Sequence, residues 1–200
     1  MKIGIFLEPK SNIKRSITYW KNQFKKKYKN ATYLNHPIHL TVFTLDVNSS
    51  FLKDIKSGKT NLNLIKNKKL NLKIMSSDCF YSDPITNKNT LYFKVKKNKN
   101  LNDFQIRMIK YLKDYRIFKY KKYDFKNLKL NHNMKKYGYP FLHNNWLPHF
   151  TICSISKKNL KDELSKKFLK SKLSSEIVIS KYSLWLIENE KHTKLKDYIL

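Results

Sequence analysis

The sequence predicts a mixed α/β (α+β) fold of two pseudo-symmetric lobes, mainly antiparallel strands with outer helices, arranged around a central cleft. Three observations carry this expectation. Pro37-Ile38-His39-Leu40-Thr41-Val42-Phe43 and Leu147-Pro148-His149-Phe150-Thr151-Ile152-Cys153 echo one another as strand-like runs. A segment of helical period precedes each run, and alternating strand-like segments follow it. No close sequence repeat accompanies the pattern, so the duplication rests on element order.

The elements are justified in turn. Lys2 to Leu7 reads as a strand stopped by Pro9. Ser11 or Asn12 then caps a helix whose apolar stripe is Ile13, Ile17, Trp20, Phe24 and Tyr28, with lysines opposite. Ile38 to Val47 is a strand carrying the first motif. Phe51 to Ile65 is ambiguous, with a short helix interrupted at Gly58. Leu70, Leu72 and Ile74 alternate, as do Leu91, Phe93 and Val95. Ser82-Asp83-Pro84 and Asn87 to Asn89 lie between them, so the two runs form an antiparallel hairpin. A second helix runs from about Asn102 with Phe104, Met108, Leu112 and Tyr115 as its stripe. Lys119 to Lys136 reads as an irregular surface insertion with Tyr120, Tyr123 and Phe125 among lysines. Aromatics interleaved with cations can also stack on bases and hold phosphates. Gly138-Tyr139-Pro140 turns the chain into the second motif strand. Ser156 caps a helix with Leu160, Leu164 and Phe168. Ile177 to Ile187 is strand-like, and Leu195 to Leu200 adds an edge strand.

With 200 residues, 40% apolar and 14% aromatic, the chain suits one well-packed domain spanning 1–200. No apolar run approaches the ~18 residues of a membrane span. Met1 to Leu7 is too short for a signal peptide. A soluble, cytoplasmic monomer with no membrane partner is expected. Cys79 and Cys153 are the only thiols and suggest no disulfide framework. The net charge of +29 invites nucleic acid. Only Arg15, Arg107 and Arg116 among the 43 basic residues are arginine, and Gly is scarce at 3. That profile also follows from an A+T-rich coding sequence, and lysine runs usually form solvated faces.

The chemistry lies in the two motifs. Strand side chains at i and i+2 share a face, so each copy aims one imidazole and one hydroxyl at one surface. With six His and nine Thr in the chain, chance supplies roughly 0.3 His-x-Thr pairs, against the two observed. Two imidazoles can take a proton from an attacking oxygen and deliver one to a leaving oxygen near pH 7. Two hydroxyls can hold the non-bridging oxygens of a phosphate where charge must be stabilised. The sequence offers no ligand spacing for a metal, and no cofactor is expected. His36, His132, His143 and His192 lack the partner Thr and stay outside this scheme. Tyr139 and Trp146 suit either a base pocket or the core.

Paired His-x-Thr-apolar strands resemble the signature of the 2H (two-histidine) phosphoesterase superfamily, which includes 2′-5′ RNA ligase-like proteins and cyclic nucleotide phosphodiesterases. Pro148 before His149 fits the pattern, whereas Ile38 separates Pro37 from His39. The resemblance implies a bilobal 2H phosphoesterase-like fold with His39 and His149 catalytic and Thr41 and Thr151 as phosphate ligands. It also implies metal-independent chemistry on a 2′,3′-cyclic phosphate or a 2′-5′ phosphodiester of an RNA end or nucleotide. His149 is assigned the base and His39 the acid, with the reverse left open. The alternatives are a non-catalytic RNA-binding protein on the same scaffold and an inactive descendant.

Overall fold

The computed structural model describes residues 1–60, 62, 69–117, 127–188 and 191–200. Its strands are β1 (Lys2–Leu7), β2 (Leu40–Asp46), β3 (Leu70–Asp83), β4 (Lys88–Lys96), β5 (His149–Ile155), β6 (Lys172–Ile179), β7 (Lys181–Glu188) and β8 (Lys191–Ile199). The helices are α1 (Ser11–Lys27), α2 (Ser50–Lys56), α3 (Lys99–Tyr111), α4 (Leu128–Tyr137), α5 (Lys157–Leu160) and α6 (Glu163–Leu169). The strands form one antiparallel sheet in the order β6-β3-β4-β5-β2-β1-β7-β8. Its two halves match about the β5–β2 seam. Each motif strand lies beside the strand that precedes it in the chain, β1 beside β2 and β4 beside β5, with helix in the intervening connection.

The connection between β6 and β7 fixes the sheet's shape. These strands stand six positions apart in the order, yet Ser180 alone joins them. In a flat sheet at about 4.8 Å per strand the gap is roughly 29 Å, far beyond one residue. The sheet must therefore curl so that the two lobes turn toward one another. The strand expected over Ile177 to Ile187 is thus two strands, one in each lobe, because the chain changes sheet partner at Ser180.

The crossing helices interlock the lobes. α1 connects β1 to β2 but packs against β5 and α6, while α3 connects β4 to β5 but packs against β2. Ile13, Ile17, Trp20 and Phe24 are the buried stripe of α1, and Phe24 and Trp20 meet Phe168 of α6 edge-on. Lys25, Lys26 and Lys27 close the last turn, where the helix dipole favours cations. α3 starts earlier than the apolar pattern suggests, because Asn98 caps it by accepting the Leu101 N–H at 2.9 Å. Phe104 and Met108 are buried as expected.

The sequence-based boundaries fail where side-chain caps decide them. The helix expected after Ser156 is two, since Asp162 accepts the Ser165 N–H and starts α6 anew. The expected irregular insertion over Lys119 to Lys136 holds all but the last residue of α4, which is capped by Asn127 at its start and closed by Gly138 in the left-handed region at φ 70°. Tyr120, Tyr123 and Phe125 lie outside the described residues. The hairpin of β3 and β4 forms as the alternation implies, and the edge strand expected over Leu195 to Leu200 is β8, which starts four residues earlier, at Lys191. Among the described residues, no helix is long and apolar enough to cross a membrane.

Candidate active site

The two motif strands are neighbours. β2 pairs antiparallel with β5 through Leu40 and Phe150, the residues between His and Thr in each motif. One step either way sets His39 across from Thr151 and Thr41 across from His149. All four thus share the face opposite to Leu40 and Phe150, which are fully buried. His39, Thr41, His149 and Thr151 are each half-buried.

A β-bulge follows each Thr. On β1, Ile5 pairs with Phe43 and Phe6 with Thr41, leaving Val42 as an extra residue on β2. On β4, Leu91 pairs with Cys153 and Tyr92 with Thr151, leaving Ile152 extra on β5. The apolar fourth residue of each motif is therefore the bulged one, and both are fully buried. A bulge shifts side-chain parity by one residue. It lets His and Thr face outward while Val42-Phe43 and Ile152-Cys153 are consecutively buried. The carbonyl of Val42 receives a hydrogen bond of 2.7 Å from Nε2 of Gln105, a fully buried side chain that also donates to the Phe141 carbonyl at 3.2 Å.

Each histidine is anchored alike. His39 Nδ1 lies 2.8 Å from the Pro37 carbonyl, and His149 Nδ1 lies 2.6 Å from the Leu147 carbonyl. A carbonyl only accepts, so both Nδ1 atoms carry the proton. In the neutral ring each Nε2 is then left with its lone pair, the tautomer a proton acceptor needs.

The bulges also place one aromatic ring against each histidine. Phe6 stacks on His39 with ring centroids 3.9 Å apart and planes 16° apart. Tyr92 lies 5.0 Å from His149, with Phe80 at 4.9 Å edge-on, and Phe80 stacks on Tyr92 at 4.0 Å. Gly4 makes room for the first arrangement: a Cβ there would sit 2.5 Å from the Phe6 ring. Beyond these rings the halves differ. His192 lies 5.7 Å from His39 and 4.6 Å from His36, centroid to centroid. On the other side burial, and then the Asp78 carboxylate, push the Tyr92 phenol up and hold it protonated.

Electrostatics separate the two histidines. Burial pushes His39 down to about 3, and the charges of His192 and Lys21 act the same way against the hydrogen bond to Pro37. Burial also lowers His149, but the Leu147 carbonyl and the Asp83 carboxylate oppose it. Both rings are neutral at pH 7 in the free protein, and a bound anion favours protonation of either.

Sequence reasoning set His36 and His192 aside for want of a partner Thr and did not single out Phe6, Phe80 and Tyr92. Phe6 and Tyr92 come from different parts of the chain, and only the sheet register brings them to the motifs. Trp146 packs in the core and donates from Nε1 to the Thr41 carbonyl at 3.2 Å, tying the approach to β5 onto β2. Tyr139 packs on Phe43, on the face away from the motif side chains. His143 sits on an exposed 3₁₀ turn. Among the described residues, no group of three or more His, Cys, Asp or Glu side chains is placed to hold a metal ion.

This curled antiparallel sheet, with two matched lobes and helices outside, defines the class: a 2H phosphoesterase fold. Within it, the chain belongs to the AKAP7 2′5′ RNA ligase-like domain family, whose model matches residues 3–184. Among similar solved structures, TT0787 of Thermus thermophilus is 11% identical, with 100% of this chain and 98% of that one covered at a TM-score of 0.65. E. coli LigT complexed with 3′-AMP is 11% identical over 100% and 97%, at 0.60. The same protein complexed with ATP is 12% identical over 100% and 97%, at 0.58. At these identities the likeness is one of fold. No curated protein matches the chain significantly in sequence.

Proposed function

We propose that the protein is a metal-independent 2H phosphodiesterase acting on a 2′,3′-cyclic phosphate or a 2′-5′ phosphodiester of an RNA end or nucleotide. The observation that carries this reading is the matched pair of Nδ1–carbonyl bonds, which leaves a bare Nε2 on each motif strand beside a threonine hydroxyl. For a cyclic phosphate, one Nε2 accepts a proton from water as the water oxygen bonds to phosphorus. The other, as Nε2–H, gives its proton to the ribose oxygen as the phosphorus–oxygen bond breaks. Thr41 and Thr151 donate from Oγ to the non-bridging oxygens.

The charges around the rings support His39 as the base and His149 as the acid, the reverse of the assignment from sequence. An imidazolium at His39 is opposed by His192 and Lys21, whereas one at His149 is favoured by Asp83. The family and the adenine nucleotides held by E. coli LigT support a nucleotide-bearing substrate. The flanking rings of Phe80 and Tyr92 suit a base or ribose face. A cytoplasmic monomer remains the proposal for its setting.

The test is a product assay across 2′,3′-cyclic nucleotides and 2′-5′ and 3′-5′ dinucleotides with chelator present. Turnover of one of the first two classes, lost in His39→Ala and His149→Ala, is expected. RNA binding that falls steeply with salt, persists in both variants and comes with no turnover establishes the alternative, a binding protein with a charge of +29.

A further inference from the structure

Six residues before each motif histidine the backbone turns left-handed. Tyr33 stands at that place before His39, with φ 70°, and His143 stands there before His149, with φ 51°. Among the described residues only two other non-glycine residues have positive φ, Ser82 and Asn87, and both belong to the β3–β4 hairpin. Residues with a Cβ are disfavoured at such φ, so each loop needs something that holds it. The two loops also turn alike. The Tyr33 carbonyl accepts the N–H of His36, and the His143 carbonyl accepts that of Trp146, both at 3.2 Å.

A lysine closes each turn. Lys21 of α1 donates from Nζ to the carbonyls of Tyr33 at 2.7 Å and His36 at 2.9 Å. Lys97, between β4 and α3, donates from Nζ to the carbonyls of His143 at 2.8 Å and Trp146 at 3.4 Å. Each ammonium thus binds the carbonyls six and three residues ahead of its histidine, although one lysine sits on a helix and the other just past a strand. Lys21 is 6% exposed. Its partners are backbone carbonyls, Leu34 at 3.5 Å included, and among the described residues no carboxylate acts on it. Burial lowers it to about 8, so at pH 7 it is still a cation. Burying a charge without a counter-charge is costly, which sets this lysine apart from the many on the solvated surface.

Chain geometry says what the lysines fix. The His36 and Trp146 carbonyls each belong to a planar peptide unit. The next residue in each loop, Pro37 or Leu147, carries the carbonyl that receives the histidine Nδ1–H. Proline restricts that one linking residue in both lobes. The ring of Pro37 fixes its own φ, and Pro148 favours extended backbone at Leu147 before it. The two prolines are offset by one residue relative to their histidines, yet both act on the same link. With one peptide plane held and the link restricted, the anchoring carbonyl has a set direction, and so has the imidazole bonded to it. We propose that Lys21 and Lys97 are positioning residues, each setting the ring of one motif histidine, His39 and His149 respectively, through the backbone ahead of it. Their effect on rate rests on the phosphodiesterase reading, whereas their effect on the rings does not.

The experiment compares the full chain with Lys21→Met and Lys97→Met at neutral pH. Imidazole nitrogen NMR shifts report the tautomer of each ring, and in the parent both motif rings should be fixed as Nδ1–H. Lys21→Met should move His39 towards a mixture of tautomers and leave His149 in place, and Lys97→Met should do the reverse. On a cleaved cyclic phosphate or 2′-5′ dinucleotide, each variant should lose roughly tenfold to a hundredfold in kcat, the scale of a misplaced catalytic group. KM should change by about twofold or less, because the substrate contacts remain. A tautomer unchanged in both variants, or both rings moving alike in either, overturns the positioning role and leaves the phosphodiesterase reading intact. If Lys21→Met does not fold, Lys97→Met and His149 decide the matter, since Lys97 is only half-buried. If the parent cleaves neither class of substrate, the phosphodiesterase reading fails by itself, and the tautomers still decide what the lysines do.

Discussion

Acidification should unfold this protein through His36 and His39. Both are neutral in the folded state, lowered to about 4 and about 3, first by burial and then by neighbouring cations. In the unfolded chain each returns to about 6.5. The folded values lie below the unfolded ones, so between pH 6.5 and about 4 the unfolded chain binds protons that the fold refuses. Stability is full above pH 7 and falls as pH drops. Each pH unit is about 1.36 kcal/mol per group. Going from pH 6.5 to 5.0 therefore removes about 2 kcal/mol per histidine, or about 4 kcal/mol for both. Solvent reaching the half-buried rings reduces this to about 2–4 kcal/mol. With an m-value of about 2 kcal/mol per M, the urea midpoint should fall by about 1–2 M between pH 7.5 and 5.0. The measurement is urea unfolding at both pH values in phosphate-free buffer, for the parent, His36→Asn and His39→Asn. Each variant should remove about half of the pH-dependent drop. If both variants lose as much stability as the parent between the two pH values, the buried-neutral histidines are not the cause and the electrostatic account of the site is wrong.

Replacing His39 or His149 by Ala should lower the rate by roughly 10²- to 10⁴-fold, with a bell-shaped pH dependence in the parent. The double variant should lose much less than the product of the two single losses; full additivity in steady-state assays contradicts a concerted pair. Thr41→Val and Thr151→Val should lose less, chiefly in kcat. Turnover should survive chelation, and loss of activity restored by a divalent ion counts against the metal-free mechanism. Gln105→Leu should destabilise the fold by about 1–3 kcal/mol, since the Val42 and Phe141 carbonyls lose its two donated bonds. Thermal unfolding about 2–10 °C lower checks this, and an unchanged midpoint removes Gln105 as the support of the bulge. Gly4→Ala should displace Phe6, whose ring the new Cβ would meet at 2.5 Å. Its expected cost is about 1–3 kcal/mol, with a fall in kcat/KM as His39 loses its stacking partner.

Much of the fold was legible in the chain. Apolar period marked α1, α3 and the β3–β4 hairpin, because one face of each must be buried and the spacing of that face is local. The motif pair and the doubled element order pointed to two lobes for the same reason. Local pattern misjudged the caps: Asp162 and Asn127 start helices through single hydrogen bonds that periodicity does not register.

The sequence by itself determined the two His-x-Thr strands and which way their side chains alternate. Tertiary structure decided the rest of the site. Which strand lies beside which is set by non-local pairing, so no spacing in the chain announces that Phe6 meets Thr41 or that Tyr92 meets Thr151. The bulges at Val42 and Ile152 exist only relative to a partner strand, and a buried Val or Ile reads the same in a regular ladder. His36 and His192 stand 156 residues apart and carry no motif, yet sheet order and curl bring their rings to 4.6 Å. The protonation of His36 is likewise a property of burial and neighbouring charge, which the chain acquires only on folding.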